Sequence, residues 1–550
     1  MSSPISVGKD LVSFLRNKIE GKKSYANKGR IRIITIFSLF VFLTIITKLF
    51  SISFPKTFSF SLFEGGVKIT QKSLLSRADL EDRNGEILAT NISIYNFGIH
   101  PNKIKNKNNF TEKILKVLPN YSRQELHKKV NSRKKFVYIK KKISEKTMKL
   151  LAKLKDKNMD FEKVDFRSYP KKEIFSHLIG FTNTDNKGLK GLEYGLNSKI
   201  IASKKSIKLS VDSRFQEVIY RVLRSGIEKH KAIGGGAILI KSDTGEILSL
   251  ISFPDFDPNK LSASPLKNRF NKITTGVFEP GSVFKLFNTA IALENNIAED
   301  KKYAVDKAIK IGGFSIDDDH KMDEKKAGLD QILIHSSNIG SVKMAWDFGI
   351  NEQKKHLKKF GFLDKIKTDL GDTAHPILPY KWTKIESATI SFGHGISVSP
   401  LQTILATNAL INGGYYLPPT FVPNDKKSFK AKQIISEETS AKMRKLMHRI
   451  VEEGTGQKVK IEGLKIGGKT GTSEKIVNGK YDKNRLANWF VSAFPIENPE
   501  YTLLVMIDEP KGLKENFNLK SSAWNAVPIT KEIIENILPF LDIRKEKNED

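Results

Sequence analysis

Ser282 and Lys285, in Ser282-Val283-Phe284-Lys285, sit three residues apart, the spacing that brings a hydroxyl and an amine onto one helical face. A serine hydroxyl is a poor nucleophile until a base takes its proton. A lysine can take it only as a neutral amine, the form favoured by burial and by nearby positive charge. The dipole at a helix N-terminus favours the alkoxide as it forms. A serine at a helix start is, on its own, usually just a cap. Two further motifs follow in order, Ser336-Ser337-Asn338 and Lys469-Thr470-Gly471-Thr472. Each alone has a bland reading, a turn or cap for the first and a Gly-rich edge strand for the second. Together the three read as equipment for serine acyl transfer. Ser282 is the candidate nucleophile, Lys285 its base, and Ser336 a shuttle hydroxyl between Lys285 and Lys469. Asn338 would hydrogen-bond a substrate amide. A peptide could add as an extra strand along Lys469, Thr470, Gly471 and Thr472, its carboxylate meeting Lys469. The backbone N–H groups of Ser282 and Thr472 would form an oxyanion hole. This chemistry calls for no cofactor and no metal.

These residues need elements to hold them. Ser282 follows Glu279-Pro280-Gly281 and opens an apolar run at helical spacing, with Pro and Gly as punctuation before a helix. The Ser336 motif follows Ile332-Leu333-Ile334-His335; His335 and His394 read as structural. Lys469 lies on an expected strand at 464–473. Residues 463–470 also match the nucleotide-binding pattern G-x-x-x-x-G-K-[ST]. That pattern needs a helix directly after it, and 472–480 reads as turn-like, with Gly479 breaking any helix. Around these segments the periodicity predicts a helix over 215–227 and strands over 237–241 and 246–251, joined by Ser242-Asp243-Thr244-Gly245. Gly234-Gly235-Gly236 reads as a flexible entry to the first of these strands. A mainly helical stretch covers about 280–455. Strands return at 488–494 and 501–507, and a last helix lies near 531–538, before Pro539. Two strands, many helices, three strands and a helix fit an α+β arrangement within the broad α/β class: a five-stranded antiparallel sheet between helices.

The 550 residues exceed one ordinary domain. A net charge of +33 invites a nucleic-acid reading, but the lysines are scattered through almost every segment, as a compositional bias would leave them. With no Cys, disulfides and Cys-ligated zinc are excluded. Residues 33–54 form an apolar segment with one charge, Lys48, near its far end, long enough to cross a bilayer. A basic segment, 1–32, precedes it. By the positive-inside rule residues 1–32 stay in the cytoplasm and everything after 54 lies outside; a cleaved signal peptide is the rival reading. That topology argues against nucleic acid as partner. Residues 55–205 read as a small α+β module with no catalytic cluster, His177 and Glu193 included. Residues 206–541 then form the catalytic domain, and 542–550 a charged tail.

The chain resembles the class B penicillin-binding proteins, the peptidoglycan D,D-transpeptidases. Beyond the three motifs, the likeness is carried by Asp82-Arg83-Asn84-Gly85, Ile179-Gly180-Phe181 with Gly191-Leu192-Glu193, Phe392-Gly393-His394-Gly395, Gly454-Thr455-Gly456 and Ile507-Asp508-Glu509-Pro510. The division-specific branch, which makes septal wall, is the nearest likeness, and the elongation branch its rival. The same serine and lysines would also serve a D,D-carboxypeptidase or a β-lactamase, and a vestigial set of them a penicillin-sensing scaffold. The resemblance implies Ser282 as the acylated residue and Lys285 as its base. It implies peptidoglycan stem peptides as substrate, β-lactams as covalent inhibitors, and a polytopic lipid-II polymerase with other division proteins as partners. It implies a single-pass inner-membrane protein whose catalytic domain is periplasmic. Two departures stand out: Ala78 where the family usually has Gly, and Lys171-Lys172-Glu173 in place of a Gly-containing turn.

Overall fold

The structure is a computed structural model that describes residues 28–53, 59–64, 67–72, 76–297, 300–423 and 431–541. The expected tail 542–550 and most of the basic segment 1–32 lie outside the described residues. A helix spans Lys28–Ser53, over the apolar segment. Among the described residues no helix is long and apolar enough to cross a membrane. Side chains of that helix are described only for 33–48, short of the roughly 20 residues a span needs.

The chain divides into two compact units, one of residues 1–73 with 95–164 and the other of 74–94 with 165–550. In the first, strands Val137–Ile143 and the end of Ile87–Ile99 pair antiparallel. Helices Lys107–Val117, Arg123–Val130 and Glu145–Ala152 each begin at a polar cap, Asn106, Ser122 and Ser144, whose side chain accepts a backbone N–H. Their apolar residues close over Phe97, Ile99, Ile139 and Phe161. The middle helix buries only Leu126 and Val130, too few apolar positions to signal it in the sequence.

The second unit is built on five strands: β1 (Gly234–Lys241), β2 (Ile247–Phe253), β3 (Gly467–Val477), β4 (Lys480–Phe494) and β5 (Tyr501–Asp508). Their order across the sheet is β2-β1-β5-β4-β3, antiparallel throughout. Side chains alternate across the pleat, and both faces are buried. Ala237, Leu239, Leu503 and Val505 pack with α1 (Ser213–Lys229) and, at the end of the chain, the helix Ala526–Ile537. Ile238, Ile240, Leu504 and Met506 face the other layer. That layer contains α2 (Phe284–Glu294), α3 (Asn338–Lys359, kinked at Gly349), α4 (Pro400–Ile411) and α5 (Glu437–Glu452). A five-stranded antiparallel sheet between helices is thus present, and the class is mixed α/β.

Three local expectations are corrected. Gly234, Gly235 and Gly236 lie within β1 rather than before it. A Cβ on Gly235 would stand 2.5 Å from the Met506 carbonyl oxygen of the adjacent strand, so close packing of strands, rather than flexibility, selects glycine there. The segment after Thr472 is strand, not turn: β3 runs to Val477 and reverses through Asn478-Gly479, both at positive φ, into β4. Asn-Gly is the pair that a tight hairpin favours. No helix follows Lys469-Thr470, so the nucleotide-loop pattern lacks its required context. The last helix starts earlier than expected, at Ala526, and ends at Ile537, before Pro539. In the Lys171-Lys172-Glu173 turn, Lys172 holds φ +48, the left-handed region a glycine would occupy without cost.

Candidate active site

Pro280 and Gly281 turn the chain into a short 3-10 segment, Gly281–Val283, that feeds α2. Ser282 sits in this segment, half-buried, with Lys285 in the first turn of the helix. Gly281 has φ +55, and a Cβ there would lie 2.7 Å from the Thr472 carbonyl oxygen. A Cβ on Gly471 would lie 2.5 Å from the Pro280 oxygen and 2.8 Å from a Val283 methyl. Both glycines therefore serve one purpose: they let the Ser282 turn rest directly on β3. The close approach that glycine signalled in the third motif is made by the chain's own backbone. β3 is the edge of the sheet, which leaves its outer side able to take an added strand.

Lys285 and Lys469 have no exposed surface. Lys285 Nζ lies 3.0 Å from Ser282 Oγ and 3.1 Å from Ser336 Oγ, and also donates to the Ser336 carbonyl. Lys469 Nζ lies 3.0 Å from Ser336 Oγ and 3.2 Å from its neighbour's carbonyl, that of Thr470. One hydroxyl thus touches both amines, and one amine touches both hydroxyls. Burial pushes Lys285 down to about 8, against a smaller opposing pull from Asp319 and Asp318. Lys469 falls well below the ordinary lysine range, through burial first and the Lys285 charge second. A neutral Lys285 in this geometry can accept the Ser282 proton.

Ser336 holds φ +61, a conformation L-residues rarely adopt. Ser337, next along, caps α3 by accepting the Gly340 N–H at 2.9 Å. Asn338, expected to meet a substrate amide, is half-buried and donates to the Asp317 carbonyl at 2.9 Å. Thr470 Oγ1 pairs with Thr455 Oγ1 at 2.6 Å, and the Thr472 hydroxyl accepts the Ser522 N–H at 3.1 Å. All eight residues singled out by motif therefore lie on three adjoining pieces of chain: the Ser282 turn, the Ser336 turn and β3.

Motif reading passed over Glu279, three residues before Ser282. Its buried carboxylate accepts from the Gly395 N–H at 2.8 Å and the Tyr481 hydroxyl at 2.9 Å. Burial raises its pKa. It ties the 392–395 loop and the β3–β4 hairpin to the Ser282 turn. His394, in that loop, is buried and pushed down to about 4 by burial first and the Lys285 charge next. His335 meets the Gln331 side chain, four residues back, through Nε2 at 2.9 Å. His177 meets the Pro254 carbonyl at 2.9 Å, and Glu193 is buried between Arg77 and Arg167. Among the described residues no group of three or more His, Asp or Glu side chains is placed to hold a metal.

The penicillin binding protein transpeptidase domain matches residues 235–535, and the penicillin-binding protein dimerisation domain matches residues 73–231. The chain belongs to the class B penicillin-binding proteins. Among curated relatives it is 32% identical over 487 residues to the probable peptidoglycan D,D-transpeptidase FtsI of Caulobacter vibrioides, covering 86% of this chain and 82% of that one. It is 30% identical over 584 residues to the stage V sporulation protein D of Bacillus subtilis, covering 95% and 87%. The crystal structure of a peptidoglycan synthetase from Bifidobacterium adolescentis superposes with a TM-score of 0.68 at 19% identity, over 90% of this chain and 99% of that one. That likeness extends the shared fold to nearly the whole of this class B penicillin-binding protein.

Proposed function

We propose that this chain crosslinks peptidoglycan stem peptides through a serine acyl-enzyme during septal wall synthesis. Ser282 Oγ attacks the carbonyl between the two terminal D-Ala residues while its proton passes to neutral Lys285. The C–N bond breaks, and the departing D-Ala amine takes a proton relayed through Ser336, between Lys285 and Lys469. An amine of a neighbouring stem then attacks the ester; the new amide is the crosslink, and Ser282 regains its proton. The N–H groups of Ser282 and Thr472 hold the oxyanion. Asn338 exchanges its bond to the Asp317 carbonyl for the substrate amide, and the donor stem lies along Thr470, Gly471 and Thr472 with its carboxylate toward Lys469.

The observation that carries this reading is the pair of contacts at Lys285 Nζ, 3.0 Å to Ser282 Oγ and 3.1 Å to Ser336 Oγ, inside a fully buried amine pair. The septal assignment draws on the likeness to the division branch and on the FtsI relative. In the same reading, residues 33–54 anchor the chain in the inner membrane with residues 1–32 inside. Residues 55–205 form the non-catalytic module, and 206–541 the transpeptidase domain outside. A polytopic lipid-II polymerase and other division proteins are its partners. Along the helix Lys28–Ser53, Phe37, Phe40 and Phe42 stand 67, 66 and 65% exposed, as lipid-facing side chains would. Incubation of the purified full chain with a fluorescent penicillin tests the chemistry. A stable covalent label that disappears in Ser282→Ala is expected, and label retained by that variant refutes the reading.

A further inference from the structure

The Ser336 turn carries the relay, yet it is held from outside the three motifs. The strand Phe314–Ile316 leads into Asp317-Asp318-Asp319, and its Ile316 is buried against Val342 of α3 and Phe392. From that anchor the Asp318 carboxylate accepts the Ser337 hydroxyl at 2.7 Å with one oxygen and the Ile339 N–H at 2.9 Å with the other. The preceding carbonyl, of Asp317, takes the Asn338 amide at 2.9 Å. Three consecutive residues of the Ser337-Asn338-Ile339 stretch are thus gripped by two neighbouring aspartates. The residue just before them is Ser336, in its left-handed conformation, with its carbonyl and hydroxyl on Lys285 and its hydroxyl on Lys469. An unfavourable φ persists only where surrounding contacts over-determine it, and Asp318 supplies two of them.

We propose that Asp318 is a positioning residue for acyl transfer: it clamps the Ser336 turn in the conformation that meets both lysines, and holds its carboxylate where its charge acts on Lys285. The inference rests on the assignment of Ser282 and Lys285 made above. The charged groups acting on Lys285 are Asp319 and Asp318, and those acting on Lys469 are Lys285 and Asp319; His394 faces Lys285 as a neutral ring. From the helices packed on α2, no other charged side chain acts on either lysine among the described residues. Both aspartates favour protonated Lys285, so removing either charge moves the basic form to lower pH.

The test is the rate of fluorescent-penicillin labelling of the full chain across pH 5.5–9.5, with Ser282→Ala as blank and thermal melting as a check on folding. Asp318→Ala is expected to slow labelling roughly tenfold or more at every pH, the scale of a misplaced catalytic group. Asp318→Asn keeps an acceptor for the Ile339 N–H and is expected to recover most of that rate. Its rising limb should shift to lower pH, giving roughly twofold or more neutral amine on the acid side. Asp319→Asn, which makes none of these hydrogen bonds, should shift the limb alone. Labelling of Asp318→Ala at the wild-type rate, or an unshifted limb in both Asn variants, overturns the proposal. If Asp318→Ala does not fold, the limb of Asp318→Asn decides. A wild-type chain that takes no label would instead sink the function itself.

Discussion

The pH dependence of acylation follows from where Lys285 is buried. With no exposed surface and its amine lowered to about 8, roughly a hundredth of the chains carry the neutral base at pH 6, about a tenth at pH 7 and about nine-tenths at pH 9. If the neutral amine takes the Ser282 proton, labelling by a fluorescent penicillin at sub-saturating concentration should rise about tenfold per pH unit below 7. It should level off above about 8.5, spanning roughly 90-fold between pH 6 and 9. The same burial has a stability signature. Below about 8 both folded and unfolded chains hold the proton, and the folded state bears the full penalty, about 3 kcal/mol for a shift from 10.5 to about 8. Between about 8 and 10.5 the unfolded chain holds more protons than the folded one, so stability rises with pH across that window. Lys285→Met removes the penalty and should melt no lower than wild type at pH 7 while taking no label. A flat labelling profile, or an inflection near the ordinary lysine value of 10.5, would refute the assignment of Lys285 as base. So would a Lys285→Met variant that labels normally.

Two other substitutions probe the scaffold. Gly471→Ala puts a methyl 2.5 Å from the Pro280 oxygen, an overlap that costs about 1–3 kcal/mol and moves the Ser282 turn off β3. Labelling should slow roughly tenfold or more, whereas Gly479→Ala, at the open hairpin tip with nothing within 4 Å, should label at the wild-type rate. Glu193→Ala leaves the Arg77 and Arg167 guanidinium groups buried without their carboxylate and should cost about 3–5 kcal/mol. The readout is a melting temperature lower by several degrees, with labelling retained at 20 °C.

Much of the site was legible because its chemistry is concentrated in residue types at short, ordered spacings. Ser282 and Lys285 share one turn of chain, and Pro280-Gly281 announces the helix they open. The five strands were legible from short apolar runs bounded by turn residues, and the end of the last helix from Pro539. What escaped were contacts made across long stretches of sequence. Asp318 reaches Ser337 from 19 residues away, and Glu279 meets Tyr481 from 202 residues away. An aspartate in an acidic run, or a tyrosine in a Lys-rich hairpin, carries no local mark of its partner. The continuation of β3 from Glu474 to Val477 was hidden because polar Glu and Lys there resemble turn composition, while pairing with β4 makes them strand. The run Gly234-Gly235-Gly236 misled in the opposite sense. Glycine there answers to the neighbouring Met506 backbone and the Ile273 side chain, neither visible from the glycines themselves.

Ser282, Lys285, Ser336 and Lys469 are held to act as one acyl-transfer site, with Ser282 as its nucleophile. Mass spectrometry of a tryptic digest after penicillin labelling tests this directly, since Ser282 falls in the peptide of residues 273–285 and Ser336 in that of residues 327–343. One penicilloyl adduct is expected, on Ser282 within 273–285. An adduct on 327–343 or on any other peptide, or an unmodified 273–285 from fully labelled protein, would contradict it.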